Sequence, residues 1–380
     1  MKIAHITTSL VNGGSEAAMF RLICSSGEHR HVVISLTGSG VYESLLQERG
    51  VTVYCLQFKG VGLTIKPFLE LRRILKFENP NVIQAWMYHA NLIGGVIARL
   101  LGKKAIFWNL RTSNPQLDSS GRMTQWVNRI SALFARYIPA RIISCAHRVT
   151  DVHIKMGYPE NMITTICNGY DLSVLNFREN ERLLLRAQWE VAEGTFLLGI
   201  VARWHPQKNH RLFLDAMSQA RSSVNHLWKL VFVGPDMDYD NADLVALLHE
   251  FDMFNDVILV GPHENIPAVM SALDLHVLTS TDEGFPNVIA EAMACLSPCI
   301  STDVGDSAYI IGDTGWINPA RDAKALSENI QEAFLSYSDI ASWKVKCASA
   351  RKRILEMFSI EVMTKQYLEV WSYENYKKKI

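Results

Sequence analysis

No apolar run in this chain reaches the ~18 residues that a membrane-crossing helix needs. The first residues, MKIAHITTSL, lack the long apolar stretch and small-residue cleavage site of a secretory leader. They read as a first β-strand, so secretion is not expected. Cysteine is sparse: seven residues among 380, odd in number and scattered. That excludes a disulfide framework and points to reduced thiols in a cytoplasmic protein. Cys295 and Cys299 stand close, but no second pair at zinc-ligand spacing accompanies them, so no metal site is expected. Repeats and low-complexity tracts are absent, and at net charge zero no nucleic-acid partner is expected.

The zero hides an asymmetry. Residues 1–170 hold 19 Lys and Arg against 9 Asp and Glu, a formal +10; the remainder carries −10. A basic first half suggests an anionic partner, such as a phospholipid surface or a phosphate-bearing substrate. In TIKPFLELRRILKF (64–77), Phe68, Leu71, Ile74 and Leu75 recur at helical spacing, beside Lys66, Arg72, Arg73 and Lys76. This is either a membrane-surface helix or an ordinary surface helix with a solvated basic face.

A chain of this length predicts two domains. Strands are expected at 2–8, 31–36, 51–56, 81–86, 105–110 and 141–145, with helices at 15–25, 41–48, 67–77, 89–101 and 122–136 between them. Residues 172–194 are charged, show no strand pattern, and read as the link. The alternation then restarts. Strands are expected at 196–202, 229–234, 256–261, 273–280 and 298–302, with helices at 209–221, 241–252, 265–272, 287–294 and 322–335. A last amphipathic helix is expected over 359–379. The rhythm predicts two doubly wound α/β domains with parallel sheets, and ligands at the carboxyl ends of the strands, in a cleft between the domains.

Residues 280–294 read STDEGFPNVIAEAMA. Pro286 suits a first helical turn, which puts Glu283 in the preceding loop and Glu291 more than one turn inside the helix. The free N–H groups at that helix start suit a phosphate. A carboxylate beside it can accept from a vicinal diol such as ribose, and a second from another sugar. Two solvated acids at this spacing are common, so the embedding EGFPNVIAEAMA is the informative part. Upstream, GIVARWHPQKNH places Arg203 and Lys208 at a strand's carboxyl end, where two cations can neutralise a diphosphate. In VNGGSEAAMF, Gly13 and Gly14 admit close backbone approach before a helix. The stretch is not GxGxxG, and no acid follows the second strand, which counts against a dinucleotide domain. His89, Asn109 and Arg111 follow strands of the first half and are candidates for touching an acceptor. The polar run 112–121 is a candidate closing loop.

Together these stretches resemble the retaining glycosyltransferases of GT-B family 4. EGFPNVIAE is similar to that family's E-x7-E signature. GIVARWHPQKNH is similar to its Arg/Lys diphosphate segment, and NGGSEAA to its glycine loop. ITTICNGYDLSVLNF (163–177) resembles its Asn-Gly-x-Asp stretch, and 302–322 the piece after the signature helix. The resemblance implies a GT-B fold: an acceptor-binding Rossmann-like domain over 1–175 with the returning helix 359–380, and a donor-binding one over 176–358. It implies diphosphate binding by Arg203 and Lys208 and ribose binding by Glu291. Glu283 would sit by the donor sugar, within a donor-binding segment of Gly284, Phe285, Pro286, Asn287 and Val288. Gly13 and Gly14 would approach the donor from the first domain. Glu283, Arg203 and Lys208 would carry catalysis. No metal or cofactor is implied, in keeping with the absence of a DxD-like metal motif with that role.

The chain departs from the family in places. The usual Thr-x-His segment is NLR, with Arg111 in the histidine's place; CLSP follows EAMA; and Gly305–Asp306 replaces Gly-Gly. In the front-face mechanism implied for the family, the leaving phosphate takes the acceptor's proton, so Arg111 would steady that phosphate or an anionic acceptor. The expected function is transfer of a sugar from a nucleotide-diphosphate donor, such as a UDP- or GDP-sugar, to a glycan or lipid-linked acceptor. The implied setting is bacterial polysaccharide or lipopolysaccharide biosynthesis, in the cytoplasm or peripheral on the inner face of the cell membrane. Two alternatives stay open: a sugar-nucleotide 2-epimerase on the same fold, and a non-catalytic donor-binding partner.

Overall fold

The computed structural model describes residues 1–58, 65–113, 121–224 and 226–372. It contains two compact units, residues 1–170 with 360–380, and residues 171–359. The first holds a seven-stranded parallel sheet of β1 (Lys2–Thr7), β2 (Arg30–Ser35), β3 (Thr52–Cys55), β4 (Val82–Trp86), β5 (Ile106–Leu110), β6 (Arg141–Ser144) and β7 (Ile163–Thr165). Their order is β3-β2-β1-β4-β5-β6-β7. The second holds β8 (Phe196–Val201), β9 (Trp228–Val233), β10 (Val257–Gly261), β11 (Leu275–Leu278), β12 (Cys299–Thr302) and β13 (Trp316–Asn318). Their order is β10-β9-β8-β11-β12-β13.

The central strands are buried throughout and mostly apolar because helices cover both faces of a parallel sheet. FLLGIV of β8 and VIQAW of β4 are buried at every position. Each sheet reverses its winding once, between β1 and β4 in the first unit and between β8 and β11 in the second. Loops at such a reversal splay apart and leave a crevice at the strands' carboxyl ends. Gly13 and Gly14 follow β1, His89 follows β4, Arg203 and Lys208 follow β8, and Glu283 follows β11. These residues therefore fall on the two reversal points, whereas Asn109 lies within β5 and Arg111 just after it, one strand away.

The final helix, Ile360–Trp371, belongs to the first unit. Ile360, Met363, Tyr367 and Trp371 join the core cluster that contains Ile3, Val33, Trp86 and Phe107. Two hydrogen bonds fix it to the sheet: Trp371 Nε1 donates to Gln84 Oε1 at 2.9 Å, and Asn109 Nδ2 donates to Tyr367 Oη at 2.6 Å.

Residues 172–194 are not a bare link. They contain a helix, Glu179–Gln188, packed on helix Ile266–Ala272. Its anchors are polar. Arg182 and Arg186 pair with the buried Asp274 at 2.6 and 3.0 Å, and Asp274 also accepts from the Leu197 N–H. A search for apolar periodicity does not register such a helix. The three-residue edge strands β7 and β13 are too short to show a period, and helices His147–Lys155, Ser307–Ile311 and Ile340–Phe358 were also not expected. Within 112–121, residues 114–120 lie outside the described residues, as does the expected last helix beyond Ser372.

Candidate functional site

In the second unit the site is built from the loops after β8 and β11. Lys208 ends a short 3-10 turn, Pro206–Lys208, capped by the His205 ring: Gln207 N donates to His205 Nδ1 at 3.2 Å. That turn is laced to the β11 loop by backbone and side-chain bonds. Thr281 N donates to Gln207 O at 2.8 Å, Thr279 Oγ1 to Lys208 O at 2.8 Å, and Gln207 Nε2 to Asp282 O at 2.6 Å. These bonds hold Lys208 and Glu283 together: Lys208 Nζ lies 2.6 Å from Glu283 Oε1, which also accepts from Ser280 Oγ at 2.7 Å. Both partners are mostly shielded, with 19% and 14% of their side chains exposed. Arg203 is exposed and has no hydrogen-bonding or ionic partner among the described residues, so its guanidinium is available to an anion.

Two glycines hold the loops close. A Cβ at Gly305 (φ +56°) would stand 2.5 Å from the Gly284 carbonyl oxygen, so the EGFP loop needs Gly305 beneath it. Asp306 N donates to that same carbonyl at 3.1 Å. Gly234 (φ +144°) would place a Cβ 2.0 Å from the Ala202 carbonyl, which seats the β9 loop against the strand end that carries Arg203.

Helix Asn287–Ala294 starts after Pro286, and no side chain caps it. The positive end of its dipole therefore lies at the EGFP loop, while Ile289 N turns back to the Pro286 carbonyl at 3.2 Å. Asn287 and Glu291 stand one turn apart, both half-buried. The Phe285 side chain is buried edge-on against Phe358, with ring centroids 5.8 Å apart, and anchors the loop while its backbone follows the turn. Behind the loops lie two histidines that sequence reading passed over. Burial, with the Lys208 charge adding to it, pushes His210 and His276 down to about 3. Both are therefore neutral beside the cation, and His276 has neither ring nitrogen hydrogen-bonded among the described residues.

In the first unit, Gly13 caps and Gly14 begins helix Gly14–Ser25. Glu16 folds back over them. A Cβ at Gly13 would lie 2.5 Å from Glu16 Oε2, and Ser9 Oγ donates to Glu16 Oε1 at 3.2 Å. This is the reach of a capping-box glutamate, and it gives Gly13 a local reason apart from any ligand. Burial raises the Glu16 carboxyl above its ordinary value, and nearby Arg111 opposes that rise. The signal for Glu16 was present in NGGSE, three residues after the cap.

Arg111 is half-buried. Its guanidinium lies over the Trp86 ring, 5.6 Å from the centroid, and donates to Asn168 Oδ1. Asn109 is fully buried, and its amide donates to Tyr367, so it ties helix to sheet beneath Arg111. His89 is half-buried with no hydrogen bond among the described residues, and desolvation lowers its pKa. The preceding Met87 has φ +71°, an uncommon backbone for a residue with a side chain, at the end of β4.

Two Rossmann-like units, with an Arg/Lys pair after β8 and an acid after its sheet neighbour β11, match what the sequence resemblance implies. The family comparisons agree. The model of the Glycosyltransferase Family 4 matches residues 13–174, and that of the Glycosyl transferases group 1 matches residues 195–335. The chain belongs to this glycosyltransferase family and has its GT-B fold.

Among curated relatives, the chain is 23% identical over 303 residues to the UDP-Gal:alpha-D-GlcNAc-diphosphoundecaprenol alpha-1,3-galactosyltransferase of Escherichia coli. That match covers 78% of this chain and 76% of the relative. It is also 23% identical to the N-acetyl-alpha-D-glucosaminyl L-malate synthase of Bacillus anthracis, over 60% of this chain and 58% of that protein. Among solved structures, Anabaena Alr3699/HepE in complex with UDP superposes with a TM-score of 0.84 at 21% identity, covering 97% and 99% of the two chains. Other relatives are named for lipopolysaccharide core biosynthesis in Rhizobium meliloti and capsular polysaccharide biosynthesis in Staphylococcus aureus.

Proposed function

We propose that the protein is a retaining, metal-independent transferase. It moves a sugar from a nucleotide-diphosphate donor, of the UDP or GDP type, to a hydroxyl of a glycan or lipid-linked acceptor in bacterial surface polysaccharide biosynthesis. The observation that carries this reading is the lacing of Lys208 and Glu283 into one unit beside Arg203 and an uncapped helix start. Arg203 and Lys208 bind the donor diphosphate, the helix start adds N–H groups, Glu291 accepts from the ribose, and Glu283 accepts from the donor sugar. Solved neighbours that hold UDP and UDP-glucose support a nucleotide-sugar donor.

As the bond from the sugar's anomeric carbon to the diphosphate breaks, negative charge grows on the leaving oxygen. Two fixed cations stabilise that change more than they stabilise the ground state. The acceptor oxygen forms its bond on the same face, and its proton passes to the leaving phosphate. Arg111 supplies positive charge from the first unit toward an anionic acceptor. Acceptors carried on lipid would set the reaction at the cytoplasmic face of the membrane. No helix among the described residues is long and apolar enough to cross that membrane.

The test is thermal unfolding against UDP-, GDP-, ADP- and CMP-sugars, with a chelator present. One donor is expected to raise the midpoint, because it binds only the folded chain. A shift that needs divalent metal would overturn the metal-independent reading; no shift with any donor would overturn the donor site. An epimerase would convert the bound donor to its epimer with no acceptor present.

A further inference from the structure

A cleft of about 600 Å³ opens in the second unit, between the loop after β8 and helices His210–Ala220 and Ala242–Glu250. None of Arg203, Lys208, Glu283 and Glu291 lines it. Its volume is that of a small-molecule site. One wall is a face of helix Ala242–Glu250, where Asp243, Ala246, Leu247 and Glu250 fall at i, i+3, i+4 and i+7. The other wall is aromatic. The Trp204 ring stacks on the His210 ring, with centroids 4.9 Å apart and planes 30° apart. Trp204 N donates to the Pro235 carbonyl at 2.9 Å, which holds the residue in place. Its side chain is only partly buried and lines the cleft.

The polar groups at this cleft are not used up by the protein. His210 is 2% exposed, and its Nε2 has no hydrogen bond among the described residues. A buried ring nitrogen is costly to leave so unless a bound group or water serves it. Asp243 is exposed and has no hydrogen-bonding or ionic partner among the described residues. Arg211 and Glu250 join the two helices by a bidentate pair, at 2.5 and 2.6 Å, which fixes both groups and leaves further lone pairs on the carboxylate. The charges select the ligand. Two carboxylates, Asp243 and Glu250, stand against one guanidinium, and burial keeps the His210 ring neutral. A phosphate group would meet net repulsion here, unlike beside Arg203 and Lys208. A neutral pyranose suits the cleft: its C–H face packs on an indole, and its vicinal hydroxyls donate to carboxylates. A second cleft, at Pro159–Met162 of the first unit, offers no aromatic face.

We propose that this cleft is a second saccharide site: a neutral sugar unit of the glycan stacks on Trp204 and is held through its hydroxyls by Asp243 and Glu250, apart from the donor cluster. That the sugar belongs to a glycan rests on the transfer reading above; the chemistry of the cleft does not. The full chain is to be labelled with fluorotryptophan and followed by fluorine NMR, the Trp204 signal being the one lost in Trp204→Phe. The probes are the methyl glycosides of glucose, galactose, mannose, N-acetylglucosamine and N-acetylgalactosamine. At least one is expected to move the Trp204 signal saturably at millimolar concentration, whether or not UDP is present. Asp243→Ala removes an acceptor and Ala246→Phe fills the cleft, and each should weaken that binding by about tenfold or more.

A Trp204 signal that no glycoside moves would overturn the proposal. So would binding that both variants leave intact, or binding that UDP displaces, since the sugar would then sit in the donor site. A signal that moves with spermidine and with no glycoside would give the cleft to a cation and overturn it as well. Asp243 and Ala246 are exposed, and circular dichroism checks the fold of both variants. Donor-induced thermal shifts on the same samples separate the two readings. Glycoside binding without any donor shift would sustain the cleft and sink the transferase site; a donor shift without glycoside binding would do the reverse.

Discussion

Lys208 and Glu283 form an ion pair at 2.6 Å. On the proposed reading, a donor that draws Lys208 to its diphosphate would release Glu283 toward the sugar, so one binding event would set both groups. Glu283→Gln keeps the shape and removes the charge; Lys208→Ala removes the cation. Each is expected to lower turnover by about a hundredfold or more, the scale of losing one preorganised electrostatic contact. Steady-state kinetics with the donor found by thermal shift checks this, and turnover near wild type in both would sink the site assignment. The residues of this loop pair were legible because their chemistry is written in short motifs. Gln207 and Thr302 were not, since each acts by bonding a backbone carbonyl that is far off in sequence, that of Asp282 and that of Ser280. Glu16 sits between the two cases: a capping glutamate was readable, but its approach to Arg111 depends on how β1 and β5 lie in one sheet.

Elements with a strong apolar period were found in place, and helices Val41–Glu48 and Asn287–Ala294 match their expected spans to the residue. What escaped was held by other means. Helix Glu179–Gln188 rests on arginine–aspartate bonds, and β7 and β13 gain their order from pairing with a longer neighbour. The amphipathic helix at the end of the chain was expected to return to the first unit, and its depth shows in Trp371, 1% exposed and bonded to Gln84. Trp371→Ala should reduce the stability of the first unit by about 3–5 kcal/mol, from lost burial and the cavity left behind. Denaturant unfolding would show it as a lower midpoint for that unit. A loss under about 1 kcal/mol would mean the helix is a peripheral attachment rather than core.

At the scale of the whole molecule, pH reports on buried imidazoles. Burial pushes His153 down to about 4, and His210 and His276 to about 3, from an ordinary 6.5. The unfolded chain thus binds protons at a pH where the folded chain does not. Stability is complete above about 6.5 and falls as the pH is lowered toward those values. By pH 5 each such group contributes a loss on the order of 2 kcal/mol. Unfolding free energies measured at pH 7.5 and 5 should differ by several kcal/mol, about the summed loss, and His276→Phe should lessen the difference. Equal stability at both values would show that these rings are protonated in place. None of this was legible beforehand, because a histidine's burial depends on its strand's neighbours.

The first unit draws its last four core side chains, Ile360, Met363, Tyr367 and Trp371, from beyond the whole of the second. During synthesis the ribosome therefore delivers the second unit complete while the first still waits for its closing helix. The order of emergence and the order of maturation are opposite. Until residue 371 leaves the exit tunnel, the β1–β7 sheet shows apolar surface to chaperones, and a nascent chain stalled after residue 359 is a natural target for proteolysis in its first half.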